Sequence, residues 1–129
     1  MGRNDSGKVT DAELDVLNIL WHQGPSTVRE VHTALISLRD IQYTTTLKTL
    51  QVMTGKNLVK RDEAAKAHIY EAAVDRQQTQ RELVGDLVDR AFSGSAVGLM
   101  AGALSGKKAS PEELAELRQL LDQAEEESK

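Results

Sequence analysis

A Gly-Pro break between two apolar helical stripes constrains the fold of this chain more than any other feature. Before the break, apolar residues recur at helical spacing over 14–21 and predict a helix that begins at a capping box of Thr10 and Glu13. Gly24-Pro25 predicts its end, because glycine suits a helix C-cap and proline cannot continue the hydrogen-bond ladder. Two helices joined by so short a connection must pack against each other.

The stripe after the break predicts a second helix, from Ser26 or Thr27 to about Leu38. Its predicted inward residues are Val28, Val31, Leu35 and Leu38. In the first helix, the predicted inward residues are Leu14, Leu17, Leu20 and Trp21.

A threonine-rich segment predicts a third helix over residues 43–55. Its threonines lower helix propensity, because β-branching restricts χ1, but Thr46, Leu50 and Met53 recur on one face. We expect that face to point inward. The residues predicted to lie opposite it are Thr44 at the first turn, Thr45, Lys48 and Val52.

Two short β-favouring runs follow, at 58–61 and 68–71, separated by a polar stretch, and they predict a hairpin. Three helices and a hairpin within about 75 residues form the winged-helix layout. The predicted fold class is therefore mainly α with a small β wing. A winged helix-turn-helix domain is expected over 1–74 and a C-terminal helical dimerisation domain over 75–129.

Amphipathic helices fill the rest of the chain. The pattern predicts a long helix ending near 92–94, a small apolar stretch over 95–104, and a last helix that starts at Ser110-Pro111 and precedes a polar acidic tail. About 50 residues cannot bury three such stripes, so a second copy of the chain is the simplest cover. The expected dimer contacts are Leu83, Val84, Leu87, Val88, Phe92, Leu99, Leu104, Leu114, Leu117 and Leu121.

Charge is divided unevenly along a chain whose net charge is −4. Residues 1–76 are balanced, whereas residues 77–129 carry the whole excess of acid. Residues 41–70 contain five cationic and two acidic residues. Because fields are screened within about 10 Å, this local excess matters more to a phosphate than the total charge does. The distribution permits a nucleic-acid partner.

The third helix carries the residue types that read DNA. Thr44, Thr45 and Lys48 offer hydroxyls, methyl groups and a cation to base edges. The phosphate-contacting cations would be Arg29, Arg61 and Lys66. An alternative remains open, in which Thr44 only caps the helix and Lys48 is a solvated charge.

No arrangement of catalytic residues is present in the sequence. There is no cysteine, the histidines His22, His32 and His68 are dispersed, and the glycines at 94, 98 and 102 favour close helix packing over a nucleotide loop. We expect no enzymatic activity, no metal and no cofactor. No apolar run approaches the roughly 18 residues that a membrane span needs, and the first 20 residues, which start with the polar stretch 2–5, lack the apolar core of a signal peptide. The expectation is a soluble cytoplasmic protein with no membrane partner.

Taken together, these segments resemble a known family. The resemblance rests on LDVLNILWHQGPSTVREVHTAL, YTTTLKTLQVMTGKNLVKR, HIYEAAV and SGSAVGLMAGALSGKKASPEELAELRQLL. In this order they are similar to the BlaI/MecI/CopY repressors of the penicillinase repressor type, over roughly residues 9–121. The resemblance implies a homodimer that binds a palindromic DNA operator and represses resistance or metal-homeostasis genes.

The resemblance implies that Thr44, Thr45 and Lys48 of the third helix read the DNA, which is the same face that the spacing selects. The resemblance places Thr27 and Arg29 at a phosphate, the wing near 61–68, and Trp21 in the core. The complete expected DNA-binding set is Thr27, Arg29, Tyr43, Thr44, Thr45, Lys48, Arg61, Lys66 and His68.

Three features depart from the family pattern. Val52 stands where many members have arginine, Gly102-Ala103 stands at the Asn-Phe cleavage position, and the copper-binding cysteines are absent. The inducing signal therefore stays open. Two other functions also remain: a winged-helix module for protein–protein assembly, and a ligand-sensing regulator with a pocket among its dimerisation helices.

Overall fold

The computed structural model describes residues 8–64 and 66–129. It is mainly helical with a small three-stranded antiparallel sheet, so the predicted fold class is confirmed. The chain divides into two compact units at the Gln80–Arg81 junction, and the functional domains 1–74 and 75–129 stay predictions. The expectation about a signal peptide concerns the first 20 residues, of which residues 1–7 lie outside the described residues. No described helix is long and apolar enough to cross a membrane.

The first helix, α1 (Asp11–Gln23), begins as predicted. The Glu13 backbone N–H donates to Thr10 Oγ1 at 3.2 Å, and the Thr10 N–H donates to Glu13 Oε1 at 2.9 Å. This capping box satisfies two backbone donors that a helix start leaves unpaired. The helix ends at Gly24, whose φ of 82° is readily adopted only by glycine.

The second helix is shorter than predicted at both ends. α2 spans Val28–Leu35, and Ser26–Thr27 form a strand, β1, with Thr27 also serving as the helix N-cap. Leu38, expected to point inward, is 62% exposed. The helix stops at Leu35 and the chain turns, so the helical spacing that would bring Leu38 inward no longer applies.

The third helix, α3 (Tyr43–Gly55), agrees with the prediction, and Thr46, Leu50 and Met53 are fully buried. Some of its threonines are compatible with a helix because their hydroxyls bond back into it. Thr49 Oγ1 donates to Thr45 O and Thr54 Oγ1 donates to Leu50 O, each at 2.8 Å. This bonding uses hydroxyl donors without interrupting the backbone ladder.

The predicted hairpin is present as β2 (Val59–Asp62) and β3 (Ile69–Ala72), and we call these strands with their connecting loop the wing. The sheet order is β1-β3-β2, all antiparallel. β3 is therefore central, with Tyr70 opposite Ser26 on one side and Arg61 on the other. The additional strand, β1, was not predicted.

The core of the first unit lies between the three helices and the sheet. Trp21 packs against it and donates Nε1–H to Val74 O at 3.1 Å, which ties α1 to the chain after β3. Leu14 is only half-buried, whereas Val16 and Ile19, which the predicted stripe leaves out, are buried. The buried apolar residues are Val16, Leu17, Ile19, Leu20, Val31, Leu35, Leu50, Met53, Leu58, Val59 and Tyr70.

The C-terminal part of the chain forms α4 (Arg76–Ala91), α5 (Ala96–Gly106) and α6 (Pro111–Glu127). Ser110 caps α6 as predicted, its Oγ accepting from the Glu113 N–H at 3.1 Å. The expectation of a separate acidic tail is wrong, because α6 continues through those residues to Glu127.

The spaced glycines serve two different purposes. Gly98 and Gly102 lie against the ring of Phe92, where an added Cβ would come within 3.4 and 3.5 Å of ring carbons. Gly94 instead has a φ of 84° and forms the turn between α4 and α5. Close packing was therefore correctly predicted for two of the three glycines, and wrongly for Gly94.

A nearly buried ion pair joins the start of α1 to the end of α3. Lys56, the C-cap of α3, places Nζ 2.9 and 3.0 Å from the carboxylate oxygens of Glu13 in α1, and 3.1 Å from Lys8 O. These three acceptors match the three donors of an ammonium group. The Lys56 side chain is 15% exposed and the Glu13 side chain 5%. Each charge therefore needs the other to offset the cost of removing it from water.

We expect removal of one member of this pair to destabilise the fold strongly, because the other charge is left nearly buried and unpaired. Lys56→Met is expected to lower the free energy of unfolding by about 3 kcal/mol, measured by urea denaturation at fixed protein concentration. The double variant Glu13→Gln/Lys56→Met is expected to recover part of that loss.

The matched control is Arg39→Met, which breaks the more exposed Arg39–Asp15 pair and is expected to cost less than about 1 kcal/mol. Equal losses for Lys56→Met and Arg39→Met would contradict a special role for the buried pair.

Candidate nucleic-acid interface

The outer face of α3, which we define as Thr44, Thr45, Lys48 and Val52, is exposed. Its orientation follows from burial of the opposite face, since positions 45, 48 and 52 fall on one side of a helix. Thr44 does not cap the helix: the N-cap is Gln42, and no side-chain hydrogen bond is made there. The outer face and Thr49 line a groove, the α1–α3 groove, together with the α1 N-cap Thr10 and with Ala12 and Glu13 of α1.

The start of α3 carries a small aromatic and polar cluster. The guanidinium carbon of Arg29 lies 5.4 Å from the centre of the Tyr43 ring, within the range of a cation–π contact. The His32 ring meets the same tyrosine edge-on at 5.4 Å, and His32 Nδ1 lies 2.8 Å from Thr46 Oγ1. These contacts hold Arg29 beside the first turn of α3.

Five predicted site residues that are distant in sequence line one concave surface, the α2–α3–wing pocket: Thr27, Arg29, Tyr43, Lys66 and His68. Its lining includes two permanent cations, a phenol and an imidazole, and the N-terminus of α2 opens onto it. Cationic side chains at a helix N-terminus favour an anion. The arrangement can hold a phosphate group.

Thr27 already has a structural role. Its Oγ1 accepts from the Glu30 N–H at 3.1 Å, and the Thr27 N–H donates to Glu30 Oε1 at 2.9 Å, which forms a second capping box. The hydroxyl proton of Thr27 is not used by this cap, since a hydroxyl both donates and accepts. Thr27 can therefore cap α2 and donate to an anion at once.

Arg61 is not among the residues that line the pocket. Its Nε and one terminal nitrogen donate to Glu63 Oε2 at 3.0 and 2.6 Å. The hydrogen bond from Arg61 lowers the pKa of Glu63, and the bond to Glu63 raises the pKa of Arg61. An incoming phosphate at Arg61 must therefore compete with a carboxylate.

The roles of two residues near these surfaces were not predicted from the sequence. Lys56, counted among the local cations, is bound to Glu13 and unavailable to an outside anion. His32, treated only as a dispersed histidine, supports both Tyr43 and Thr46. Neither has a local signal, because each partner lies at least ten residues away in the chain. Within residues 8–64 and 66–129, no group of three or more acidic, histidine or cysteine residues could hold a metal ion.

Comparison with known proteins matches nearly the whole chain to one family. The sequence model of a family described as "Penicillinase repressor" matches residues 9–123. Over 85 residues the chain is 36% identical to the protein named "Transcriptional regulator BlaI" in two strains of Mycobacterium tuberculosis, covering 65% of this chain and 62% of that protein's length. The protein named "Penicillinase repressor" from Staphylococcus aureus is 18% identical over 119 residues, covering 92% of this chain and 94% of that protein.

The ion pair in the wing gives a prediction that needs no ligand. In Arg61→Gln, we expect the pKa of Glu63 to rise towards the ordinary carboxyl range, as measured by carboxyl carbon NMR during an acid titration. Because the folded-state pKa is lowered, the stabilisation from this pair is present above the ordinary carboxyl range and disappears as the pH falls through the lowered pKa.

The matched control is Lys60→Gln, which removes the neighbouring cation on β2. Successive residues of a strand point to opposite faces, so Glu63 is expected to keep its low pKa. A Glu63 pKa unchanged by Arg61→Gln would show that another group lowers it.

Proposed function

The chain belongs to the penicillinase repressor (BlaI/MecI/CopY) family, and on that premise we propose that it is a DNA-binding transcriptional repressor. We further propose that it acts as a homodimer on a palindromic operator in the cytoplasm and controls resistance or metal- and stress-response genes. The observation that carries the proposal is the exposed outer face of α3 beside a cation-lined pocket, both on the first unit.

In this proposal α3 enters the major groove. Thr44 and Thr45 offer hydroxyl and methyl groups to base edges, and Lys48 offers a cation to guanine O6 and N7 or to a phosphate. Burial of Thr46, Leu50 and Met53 keeps the helix from rotating about its axis. The side chains that read bases are therefore held in a fixed orientation.

The α2–α3–wing pocket holds a backbone phosphate in this proposal. Arg29 and Lys66 supply the positive field, Tyr43 and Thr27 supply hydroxyl donors, and His68 supplies a ring N–H donor. Arg61 contributes a second backbone contact after exchanging Glu63 for a phosphate. Several such contacts predict an affinity that falls steeply with added salt.

The C-terminal unit supports the proposed homodimer. Throughout residues 81–129, all of them described, no residue is buried. Apolar side chains that a soluble helical unit normally covers are exposed there: Val84, Leu87, Val97, Met100, Leu104, Leu120 and Leu121. A second copy of the same helices would cover such stripes symmetrically. Pairing also brings two reading helices to two half-sites at high effective concentration.

The first test removes the proposed base-reading groups. We expect Thr45→Ala/Lys48→Ala to weaken binding to duplexes selected from a random-sequence pool by at least about tenfold per lost base contact, with the salt dependence reduced. The measurement is fluorescence anisotropy at several salt concentrations.

The matched control Thr33→Ala/Lys107→Ala removes one exposed threonine and one exposed lysine elsewhere and is expected to bind like the parent. A protein–protein assembly module would show no duplex preference and only a shallow salt dependence. Unchanged preference in Thr45→Ala/Lys48→Ala would refute α3 as the reader.

The second test concerns the dimer. Leu87 is 47% exposed in the single chain, so Leu87→Asp is compatible with its fold, but a partner would bury the new carboxylate unpaired. We expect this variant to be monomeric by size-exclusion light scattering and to bind DNA more weakly. Leu38→Asp, at a position 62% exposed in the first unit, is the matched control and is expected to remain dimeric. A dimeric Leu87→Asp variant would show that the contact lies elsewhere.

A further inference from the structure

Val52 is an apolar, branched residue on a face that is otherwise polar. It is 44% exposed and lines the α1–α3 groove with Thr45, Lys48 and Thr49. Val52 lies three residues after Thr49 and four after Lys48, and Thr45 precedes them at the same two spacings, so the four side chains form one patch along α3. Any molecule that contacts Lys48 in this groove comes within reach of Val52.

The neighbouring Thr49 has already used its hydroxyl proton. Its Oγ1 donates to Thr45 O at 2.8 Å, inside the helix. What Thr49 still offers an approaching group is an acceptor lone pair and its methyl group. At the C-terminal end of this patch, Thr49 and Val52 therefore offer mainly methyl groups and no free hydrogen-bond donor to the groove.

The charge in the groove favours an occupant that offers a hydrogen-bond acceptor as well as an apolar group. Glu13, the carboxylate that lines it, is held by Lys56 at 2.9 and 3.0 Å and is nearly buried. Lys48, by contrast, is exposed and unneutralised by the described residues. Among the four bases, thymine alone presents both an acceptor, O4, and a methyl group, at C5, in the major groove.

We propose that Val52, assisted by the methyl group of Thr49, recognises the C5-methyl group of a thymine in the DNA that α3 contacts. The inference rests on the proposed function, since it needs α3 in a major groove. It makes Val52 a specificity-determining residue, at the position where the family resemblance would place an arginine. A valine here contributes apolar contact with a base where arginine offers a charge.

The test removes single methyl groups from the DNA. In a duplex selected from a random-sequence pool by the full-length chain, each thymine is replaced in turn by deoxyuridine, which leaves base pairing intact. We expect the affinity to fall about fourfold for each buried methyl group that is lost, at one thymine of each half-site and not at every thymine. Fluorescence anisotropy at constant salt gives the ratio of the two dissociation constants.

Variants then assign the effect to Val52. In Val52→Ala, we expect the ratio between thymine and deoxyuridine duplexes to approach one at that position. Val52→Thr keeps the branched shape with one methyl group fewer, and is expected to give an intermediate ratio. Circular dichroism and thermal melting verify that both variants fold. The matched control is Ile36→Ala, which truncates an apolar residue, 53% exposed, outside α3 and is expected to leave the ratio unchanged.

The possible results distinguish failure of the thymine inference from failure of the proposed function. A chain that prefers a duplex but ignores every deoxyuridine replacement overturns the inference and leaves the proposed function standing. The same holds if Val52→Ala keeps the full ratio, because another residue then reads the methyl group. A chain with no preferred duplex at physiological salt overturns the proposed function and this inference together.

Discussion

Complete burial of one face of α3 is the constraint on which the rest of the first unit depends. Thr46, Leu50 and Met53 are fully enclosed, and the helical period then fixes which side chains can face outward. Thr46 is polar, and its burial is tolerated because its hydroxyl lies 2.8 Å from His32 Nδ1. The same histidine contacts Tyr43, beside which Arg29 is held. Core packing and site geometry are therefore set by a shared group of contacts.

Two cations of the locally basic segment, residues 41–70, form ion pairs of opposite character. Lys56 and Glu13 are nearly buried and join α3 to α1, so their charges contribute to the architecture and little to the outside field. Arg61 and Glu63 lie in the exposed wing, where water and salt keep the interaction weak and easily exchanged. The segment's three other cations, Lys48, Lys60 and Lys66, are also exposed. A count of charges along the sequence therefore overestimates the positive charge that is available to a partner.

The two units differ in how they satisfy the hydrophobic effect. The first encloses apolar side chains from α1, α2, α3 and the sheet in one core. The second, over residues 81–129, encloses none completely, although Phe92 packs closely on two glycines of α5. About 50 residues arranged as helices have too little volume for their surface to form a core alone. In the proposed homodimer a second copy supplies the missing cover, so assembly adds to the stability of this unit.

The sequence by itself determined the features that depend on neighbours within a few residues: both predicted capping sequences at Thr10 and Ser110, the bounds of α3 and the hairpin. Periodicity and capping are local, so they can be recognised without the fold. Only the tertiary structure decided that Ser26–Thr27 form a strand, that Leu38 turns outward, and that Lys56 is bound to Glu13. A two-residue strand has no periodicity of its own, and it exists because β3 supplies its hydrogen-bond partners. Likewise, Lys56 meets Glu13 across 43 residues of chain, and only packing brings such distant groups together.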